Sequence, residues 1–544
     1  MASPTSVREP GSVALSVVIA GGTVFDGTGG PGRTADVLIE QDRVVEIGPS
    51  PAEHGALVVD ATGLAVTPGF INVLSHAWSA MQKDGSAESE LRQGVTTEVF
   101  GESASPGPTS SAYAAFVRDF YGSWTRAEFA HLGDGLDDLV RGGVSPNVAS
   151  FVGGANLRTL GAGFDDRRLT SSELQTICAL LDEEMRDGAL GLGTALIYPP
   201  GRFADTDELV ALCEVVAAHD GLYISHLRSE GDAFSAAVDE LMAINERAGV
   251  RAEIYHLKAA GRANWPLMAD VIDRITVARD RGRAISANMY PYEAGGTSLA
   301  SCIPPKYHEG GPEALAARLT DERQRRAMAL DMTRGSAEFE NLLLASGGGR
   351  GVLLLRDLTD GTDARGRTLD AVGADLGVGD EDALLEIVAR DPWIQAAFFI
   401  IDPANIELGL AEPWVSIGSD SPAHPATPPW TDDATHPRTY GTFARVLGPY
   451  VRERGLFTFA EAVRRMTSLS ADTLRLTNRG RLGPGYFADV VVLDPATVAD
   501  TATWTEPHSY SVGVQHVLVN GEVAVLDGEA TAARPGRRLR RGIV

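Results

Sequence analysis

Strand-like and helix-like segments alternate over residues 169–290, and this alternation limits the possible folds more than any other feature of the chain. A helix is predicted over 169–188, where Thr170 and Glu173 form a capping box and apolar residues recur on one face. The repeat of roughly 30 residues is the size of a βα unit, so the sequence predicts a parallel barrel or a doubly wound sheet. Strands are predicted at 189–198, 222–226, 252–256 and 284–290, with helices over 207–218, 231–247 and 266–281 between them.

Both ends of the chain differ from this middle part and consist of short strand-like segments separated by turns. Residues 13–66 include VALSVVIAGG and ADVLIEQDRVVEIG, and residues 481–544 include ADVVVLD and VQHVLVNGEVAVLDGEA. In the last segment Asn520-Gly521 predicts a hairpin turn. Each end is too short to bury a core alone, so we expect the two ends to complete one β-sandwich together.

The remaining boundaries follow from these two patterns. The large α/β domain is expected over 67–480. At about 306–400 the strand pattern gives way to charged, helical sequence, which predicts a small inserted subdomain. Residues 1–12 carry Pro, Ser and Gly and are expected to form a disordered tail.

The charge of the chain argues against two classes of partner. A net charge of −26 disfavours nucleic acids and anionic membranes, because the long-range field repels them. It says little about a small substrate, whose encounter depends on the charges within a cleft. The basic run RPGRRLRR (534–541) is a local exception, and we expect it to be a solvated tail on an acidic body.

Hydropathy and cysteine spacing indicate where the protein is located and whether it contains disulfides. The sequence has no run of about 18 apolar residues, as a membrane-spanning helix requires. Its first residues lack the apolar segment of a signal peptide, so the expected location is the cytoplasm. Three cysteines without CxxC spacing predict no disulfide framework, and Cys178 and Cys213 are expected to be core thiols.

Polar residues end several of the predicted strands. TTEVFGES ends in Glu102-Ser103, LYISH in His226, AEIYH in His256 and WVSIGSD in Asp420. The carboxyl ends of parallel strands meet at one mouth of a barrel, so these side chains are expected to converge. Each residue alone fits a structural role, such as a core histidine or a turn aspartate, but four on successive strand ends favour a site.

A metal ion explains this set of side chains. Two neutral imidazoles and one carboxylate are common zinc ligands, and they leave a coordination position for water. Zinc lowers the pKa of bound water to about 7, which supplies a nucleophile at neutral pH. The run PGFINVLSHAW (68–78) contributes a further histidine, His76, which is either a core residue or a ligand.

A series of motifs along the chain belongs to one known pattern. They are TPGFINVLSHAW, RQGVTTEVFGES, GALGLGTALIYPPGRFADTDELVAL, YISHLRSEGD, IYHLKAAG, MYPYEAGGTSL, IGSDS, HPRTYGTFARVLG and LTNRGRLGPGYFADVVVLDP. On these motifs, and over roughly Val17 to Arg540, the chain resembles the N-acyl-D-amino-acid deacylases (D-aminoacylases) of the amidohydrolase superfamily. This resemblance implies a metal-dependent (β/α)8 barrel, a β-sandwich built from both termini and a small inserted domain.

The resemblance also implies roles for individual residues. His226 and His256 match the histidines of the tightly bound metal. Asp420 matches the aspartate that acts first as general base and then as acid to the leaving amine. By the same match Tyr198 and Tyr290 lie near the substrate, and Lys258 and Arg438 hold its carboxylate, for which a planar guanidinium is well suited.

The chain departs from the family pattern at three places. The strand-one motif H-x-H reads Leu74-Ser75-His76, so a second metal site is expected to be absent or weak, with His76 as a weak ligand. The family's bridging cysteine matches Ser103, a poor zinc ligand, and we favour the adjacent Glu102 as the third ligand over Ser103 or no third ligand. Gly296 stands where the family has a substrate-contacting serine, which Thr297 or Ser298 could replace.

The leading hypothesis is therefore a zinc-dependent hydrolase of N-acyl amino acids, with a D configuration implied by the resemblance alone. The alternatives are a dipeptidase or cyclic-amide hydrolase on the same barrel, and a metal-poor binding protein derived from such enzymes. Loss of the H-x-H motif and of the cysteine motivates the last alternative. Neither a nucleic acid nor a membrane is an expected partner.

Overall fold

The computed structural model describes residues 16–49, 57–334 and 339–542. The tail predicted over 1–12 lies outside these residues. The strands are β1 Ser16–Val24, β2 Arg33–Glu40, β3 Arg43–Gly48, β4 Leu57–Asp60, β5 Ala65–Pro68, β6 Phe70–Asn72, β7 Val95–Phe100, β8 Asn147–Ser150, β9 Val152–Gly153, β10 Gly191–Ala195, β11 Leu222–His226, β12 Arg251–Ile254, β13 Ile285–Met289, β14 Ala294–Ser298, β15 Val352–Leu354, β16 Gln395–Phe399, β17 Val415–Ile417, β18 Val490–Leu493, β19 Val514–Val519, β20 Glu522–Leu526 and β21 Glu529–Ala530.

The helices lie mainly between these strands. They are α1 Trp78–Lys83, α2 Glu88–Leu91, α3 Ser111–Tyr121, α4 Leu132–Gly142, α5 Gly154–Gly161, α6 Ser171–Arg186, α7 Thr206–Ala218, α8 Phe234–Ala248, α9 Leu267–Asp280, α10 Pro312–Thr320, α11 Glu322–Met332, α12 Leu342–Ala345, α13 Leu369–Leu376, α14 Asp380–Arg390, α15 Pro403–Ala411, α16 Arg438–Arg445, α17 Phe459–Met466 and α18 Ser468–Leu474. Short 3-10 helices cover Gly201–Phe203, Leu299–Cys302, Pro305–Tyr307 and Gly349–Gly351, and a π-helix covers Val446–Glu453.

A parallel barrel forms the centre of the molecule. One parallel sheet has the order β6-β7-β8 and another the order β17-β13-β12-β11-β10-β9. Because β8 and β9 are separated only by Phe151, they are two segments of one strand, and the nine segments make eight strands. The predicted fold class is confirmed, and the predicted helix 169–188 is α6, with Thr170 and Glu173 as its capping box.

The barrel is closed by contacts between its first and last strands. Ser75 and Ser421 form a parallel bridge beyond the ends of β6 and β17. On either side of it, Asp420 N donates to the Leu74 carbonyl and His76 N donates to the Ser421 carbonyl, each at 2.9 Å. The chain segments that carry His76 and Asp420 are therefore fixed beside each other by backbone hydrogen bonds.

Both ends of the chain build a second sheet. It has the path β21-β20-β19-β18-β5-β1-β2-β3, and β4 also pairs with β1. One apolar core joins the two halves, for example Val17 and Val37 from the N-terminal strands with Val490 and Leu518 from the C-terminal strands. Asn520 and Gly521, both with positive φ, form the hairpin between β19 and β20 as predicted.

A small subdomain lies between β13 and β17. Its strands β14, β16 and β15 form an antiparallel sheet in that order, and helices α10 to α14 accompany it. This subdomain and helix α3 both contribute residues to the wall of a cavity over the barrel mouth.

The expectation of a solvated basic tail is wrong. Residues 536–541 run along the barrel, where the Arg537 carbonyl accepts from Val148 N at 2.9 Å and Leu539 N donates to the Val148 carbonyl at 2.8 Å. The Arg538 side chain is only 9% exposed and is ion-paired with Asp137 and Asp187. The basic residues are held in place by carboxylates of the acidic body, from segments distant in sequence.

Among the described residues, no helix is long and apolar enough to cross a membrane. The described cysteines are free thiols, and Cys213 is buried as predicted, whereas Cys178 is half-buried.

Candidate active site

The polar side chains at the strand ends meet at one mouth of the barrel. His226 is the last residue of β11, and the others follow their strands within a few residues. The set consists of His76 after β6, Glu102 after β7, Tyr198 after β10, His226 on β11, His256 after β12, Tyr290 after β13 and Asp420 after β17, and all of these line one cavity.

Glu102 occupies the middle of this set. Its Oε1 lies 3.1 Å from His226 Nδ1 and 3.2 Å from His256 Nε2. One ligand atom from each of the three residues falls within 4.8 Å of the others, and all three residues are buried. Burial alone would raise the pKa of Glu102, but the His256, His226 and His76 imidazoles outweigh burial and hold that pKa well below its usual range.

This arrangement fits a divalent metal ion. A carboxylate and two imidazoles are typical zinc ligands, and three protein ligands leave a position for water. The nitrogens that face Glu102 come from neighbouring strands, so the barrel itself sets their spacing. Ser103, the alternative ligand, shares a side-chain hydrogen bond with Tyr113.

A second group of side chains adjoins the first. His76 Nε2 lies 3.0 Å from Glu102 Oε2 and 3.0 Å from Asp420 Oδ1, so Glu102 touches both groups. Burial lowers the pKa of His76, yet Asp420 and Glu102 raise it to about 9. Leu74, at the position of the family's other histidine, is 1% exposed and packs in the barrel core with residues such as Val99.

Asp420 is held from two sides. Its Oδ1 faces His76, and its Oδ2 lies 2.7 Å from Arg438 Nη1. Burial alone would raise the pKa of Asp420, but Arg438 and His76 hold it at about 2. The carboxylate is therefore ionised at neutral pH.

Arg438 is itself positioned by His436. The backbone N–H of Arg438 donates to His436 Nδ1 at 3.0 Å, so the other ring nitrogen carries the proton and donates to the Ala294 carbonyl at 2.9 Å. Among the described residues, no partner hydrogen-bonds to Arg438 Nε, which is buried beside the cavity.

Sequence reasoning missed Glu230. It lies four residues after His226 in the motif YISHLRSEGD, is 2% exposed, and contacts both site histidines and Lys258. Burial raises its pKa, but Lys258 and the two imidazoles hold the pKa at about 2. The i, i+4 spacing from His226 is a signal in the sequence, but it becomes informative only once the ring orientations are known.

The backbone is strained at three of the strand ends. Ser103, His256 and Asp420 have φ of +61°, +35° and +54°, which few residues other than glycine adopt. Such conformations persist only where the surrounding structure enforces them, and they cluster at functional sites. Two of these residues, His256 and Asp420, were predicted from the sequence as a metal ligand and as the general base, and the barrel fixes the backbone of both.

The cavity has a volume of about 750 Å³ and an apolar wall that sequence reasoning also missed. Helix α3 contributes Tyr113, Phe116 and Phe120, and the insertion contributes Trp393. The Phe116 and Trp393 rings are 5.4 Å apart and the Phe120 and Trp393 rings 6.0 Å apart, so they form a continuous aromatic surface. Phe116 and Phe120 remain partly exposed within the cavity.

The two predicted tyrosines differ in their contacts. The Tyr290 hydroxyl is buried and has no hydrogen-bond partner among the described residues, and the Arg438 guanidinium lies 4.7 Å from the centre of its ring. The Tyr198 side chain is hydrogen-bonded to Thr297, one of the residues considered in place of Gly296. Ser298, the second residue considered in place of Gly296, caps the 3-10 helix Leu299–Cys302, where its hydroxyl accepts a hydrogen bond from Ala300 N.

A parallel barrel whose strand ends bring imidazoles and carboxylates together is a site suited to metal-dependent hydrolysis. The comparisons identify the class: the model of the Amidohydrolase family (Amidohydro_3) matches residues 400–525. D-aminoacylase from Alcaligenes xylosoxydans xylosoxydans is 32% identical over 97% of this chain and 98% of its own. N-acyl-D-glutamate deacylase from the same organism is 34% identical over 97% of both.

The fold comparison agrees with the sequence comparison. A crystal structure of N-acyl-D-glutamate deacylase from Bordetella bronchiseptica, in complex with zinc and a phosphonate that mimics the tetrahedral reaction intermediate, superimposes with a TM-score of 0.81. It is 31% identical and the match covers 97% of this chain and 100% of that one. The chain belongs to the N-acyl-D-amino-acid deacylase (D-aminoacylase) family of the amidohydrolases, as the sequence motifs predicted.

Proposed function

We propose that the chain hydrolyses the amide bond of N-acyl-D-amino acids with one zinc ion held by Glu102, His226 and His256. The observation that carries this proposal is the position of Glu102 Oε1, 3.1 Å from His226 Nδ1 and 3.2 Å from His256 Nε2. When bound, zinc supplies Lewis acidity, which polarises a carbonyl group and makes water nucleophilic near neutral pH. His76 is proposed as a weak ligand of any second ion.

Asp420 is the proposed general base and acid. Its ionised carboxylate accepts the proton of the attacking water and then returns it to the nitrogen of the leaving amine. His76 at Oδ1 and Arg438 at Oδ2 hold the carboxylate in a single orientation. The products are a carboxylic acid and a free amino acid.

The carboxylate of the substrate is proposed to bind at Arg438, Lys258 and Tyr290. The Nε of Arg438 and the hydroxyl of Tyr290 are buried donors without partners among the described residues. A planar guanidinium binds a carboxylate through two hydrogen bonds. Lys258 adds positive charge, although Glu230 already contacts its ammonium at 2.7 Å.

The lining of the cavity supports a preference for apolar substituents on the substrate. The lysines and arginines among the described lining residues are Lys83, Lys258 and Arg438. Lys83 lies at the rim over the Trp124 and Trp430 rings, and the other two are ion-paired. Among these three, a second carboxylate, as on N-acyl-D-glutamate, would therefore find only Lys83 without a carboxylate partner, whereas the wall of α3 suits an apolar group.

A dipeptidase is a second candidate, and one observation favours it. Glu340 lines the cavity, is 4% exposed, and its Oε1 has no hydrogen-bond partner among the described residues. A buried carboxylate of this kind would bind the ammonium group of a dipeptide. A cyclic amide such as a hydantoin has neither a free carboxylate for Arg438 nor an ammonium for Glu340.

A hydrolysis screen with the zinc-loaded protein tests the proposal. N-acetyl-D-leucine is expected to be cleaved, whereas its L form, N-acetyl-D-glutamate, D-leucyl dipeptides and hydantoins are expected to be poorer substrates. Asp420→Asn should retain zinc but lose at least about 100-fold in kcat, as expected for loss of a general base. Near-normal turnover by this variant would contradict the proposed mechanism, and a chain that binds no zinc would favour the binding-protein hypothesis.

A further inference from the structure

The two oxygens of one buried carboxylate face the outer ring nitrogens of the two site histidines. Glu230 Oε1 lies 3.0 Å from His256 Nδ1, and Glu230 Oε2 lies 3.5 Å from His226 Nε2. The inner nitrogens of the same rings, His226 Nδ1 and His256 Nε2, face Glu102. The two imidazoles thus lie between two carboxylates, although the contact of His226 Nε2 with Glu230 is long and this nitrogen has no hydrogen-bond partner among the described residues.

This geometry has a consequence for the tautomers of the rings. A neutral imidazole that binds a metal through one nitrogen carries its proton on the other, and that N–H requires an acceptor. For both rings the nearest carboxylate oxygen to the outer nitrogen belongs to Glu230. Because His226 and His256 use different nitrogens toward Glu102, one carboxylate between their outer nitrogens specifies both tautomers at once.

We propose that Glu230 is a positioning residue of the metal centre, which accepts the outer N–H of both His226 and His256 and thereby fixes their inner nitrogens toward the metal. This inference rests on the proposed function, because it takes these two histidines as the metal ligands. Glu230 contacts neither the metal nor the substrate in this role and acts through the two rings.

The surroundings of Glu230 hold it in place for that role. Its backbone N–H donates to Glu340 Oε2 at 2.7 Å, and its carbonyl accepts from Ala260 N at 2.6 Å. Lys258 Nζ lies 2.7 Å from Glu230 Oε1 and compensates its charge. A buried carboxylate needs such a partner, because an isolated charge in the interior is strongly destabilising.

Lys258 offers a competing arrangement that the experiment must exclude. Its Nζ also lies 2.7 Å from His256 Nδ1. If Lys258 donated to that nitrogen, the proton of neutral His256 would sit on Nε2 and block metal binding there. In the proposed arrangement, His256 Nδ1 and Lys258 both donate to Glu230 Oε1, which can accept two hydrogen bonds, and the ammonium moves away from Nδ1 because two N–H donors repel each other at 2.7 Å.

The two arrangements predict opposite effects of removing the ammonium group. In the proposed one, Lys258→Met leaves Glu230 as the acceptor for His256, so zinc affinity does not rise and falls by no more than about tenfold. In the competing one, Lys258→Met frees His256 Nδ1 to carry the proton, so zinc binds more tightly than in the wild type.

Zinc affinity of the full chain, measured by competition with a chromophoric chelator, tests the inference. In Glu230→Gln the amide oxygen can accept from only one ring, and the NH₂ group faces the other ring. We expect zinc affinity to fall about 10- to 100-fold, which is the usual effect of losing such a partner. We also expect the visible spectrum of the cobalt-substituted variant to shift, a change that a purely structural role would not produce.

Glu208→Gln is the matched control, because it removes a buried carboxylate that pairs with Arg158 and is not among the residues that line the cavity. Glu230→Asp is the second variant: it keeps the charge but withdraws the carboxylate, and it should also weaken zinc binding. A folded Glu230→Gln or Glu230→Asp protein with wild-type zinc affinity and cobalt spectrum would overturn the inference, as would tighter zinc binding by Lys258→Met. A wild-type chain that binds no zinc would instead contradict the proposed function.

Discussion

The guanidinium of Arg438 and the carboxylate of Asp420 form a buried ion pair, with Nη1 2.7 Å from Oδ2. The proposed substrate anchor and the proposed general base are therefore in direct contact. A substrate carboxylate that binds the remaining donors of Arg438 is placed at a fixed distance from the base. Substrate binding and proton transfer are thus expected to depend on the same side chain.

Replacement of Arg438 tests this dependence. Arg438→Met should lower kcat/KM for N-acetyl-D-leucine by at least about 100-fold, because it removes the carboxylate anchor and leaves Asp420 without its cation. The measurement compares this substrate with N-acetyl-3-methylbutylamine, which lacks the carboxylate. The loss should be smaller for the second compound, because only the effect on Asp420 remains, and Arg438→Lys serves as the charge-conserving control. Equal losses for both compounds would show that Arg438 does not bind the substrate.

The apolar wall gives a prediction about substrate size. Phe116→Ala removes the ring that packs against Trp393 in the cavity and is expected to lower kcat/KM for N-octanoyl-D-leucine about tenfold, the usual effect of lost apolar contacts. Turnover of N-acetyl-D-leucine should change less than about threefold, because an acetyl group has little apolar surface that could contact the Phe116 ring. Leu330→Ala, on an exposed side chain of α11, is the control. Equal losses on both substrates would place the acyl group elsewhere.

A buried pair of glutamates outside the site predicts a pH-dependent stability. Burial raises the pKa of Glu98 to about 7, against the hydrogen bonds from Ser75 and Asn72, and burial together with Glu98 raises that of Glu90. The unfolded chain releases the Glu98 proton near pH 4.5, whereas the folded chain keeps it until about pH 7. The stabilising contribution of Glu98 is therefore full below pH 4.5 and is lost progressively up to about pH 7.

Glu98→Gln should remove this pH dependence. Relative to the wild type, the variant should gain stability by up to about 1.4 kcal/mol per pH unit between pH 4.5 and 7, and the difference should level off above pH 7. Thermal unfolding midpoints at several pH values check this, with the exposed Glu46→Gln as the control. A difference between Glu98→Gln and wild type that is constant from pH 5 to 8 would contradict it.

Sequence alone could predict the site residues whose position follows from the geometry of a parallel barrel. Glu102, His226, His256 and Asp420 stand at strand ends, and the carboxyl ends of parallel strands must meet at one mouth. Their proximity follows from chain order and strand periodicity without knowledge of any side-chain rotamer. The pairing of the two terminal β segments could also be predicted from the sequence, because neither segment is long enough to bury a core alone.

The features that sequence could not predict depend on contacts between distant segments. Glu230 gains its role only from the ring orientations of two histidines, and the wall of α3 only from the position of the insertion opposite it. The basic run 534–541 looked solvated because its partners, Asp137 and Asp187, are hundreds of residues away. Local composition carries no information about such partners.

The proposal that Glu102, His226 and His256 hold one zinc ion is tested most directly by the zinc content of three proteins after dialysis against metal-free buffer: the wild type, Glu102→Gln and Ser103→Ala. We expect one tightly held zinc per chain in the wild type and in Ser103→Ala. We expect tight zinc binding to be lost in Glu102→Gln, because the amide is a weaker ligand than the carboxylate between His226 and His256. Zinc retained by Glu102→Gln and lost from Ser103→Ala would show that Glu102 is not the third ligand.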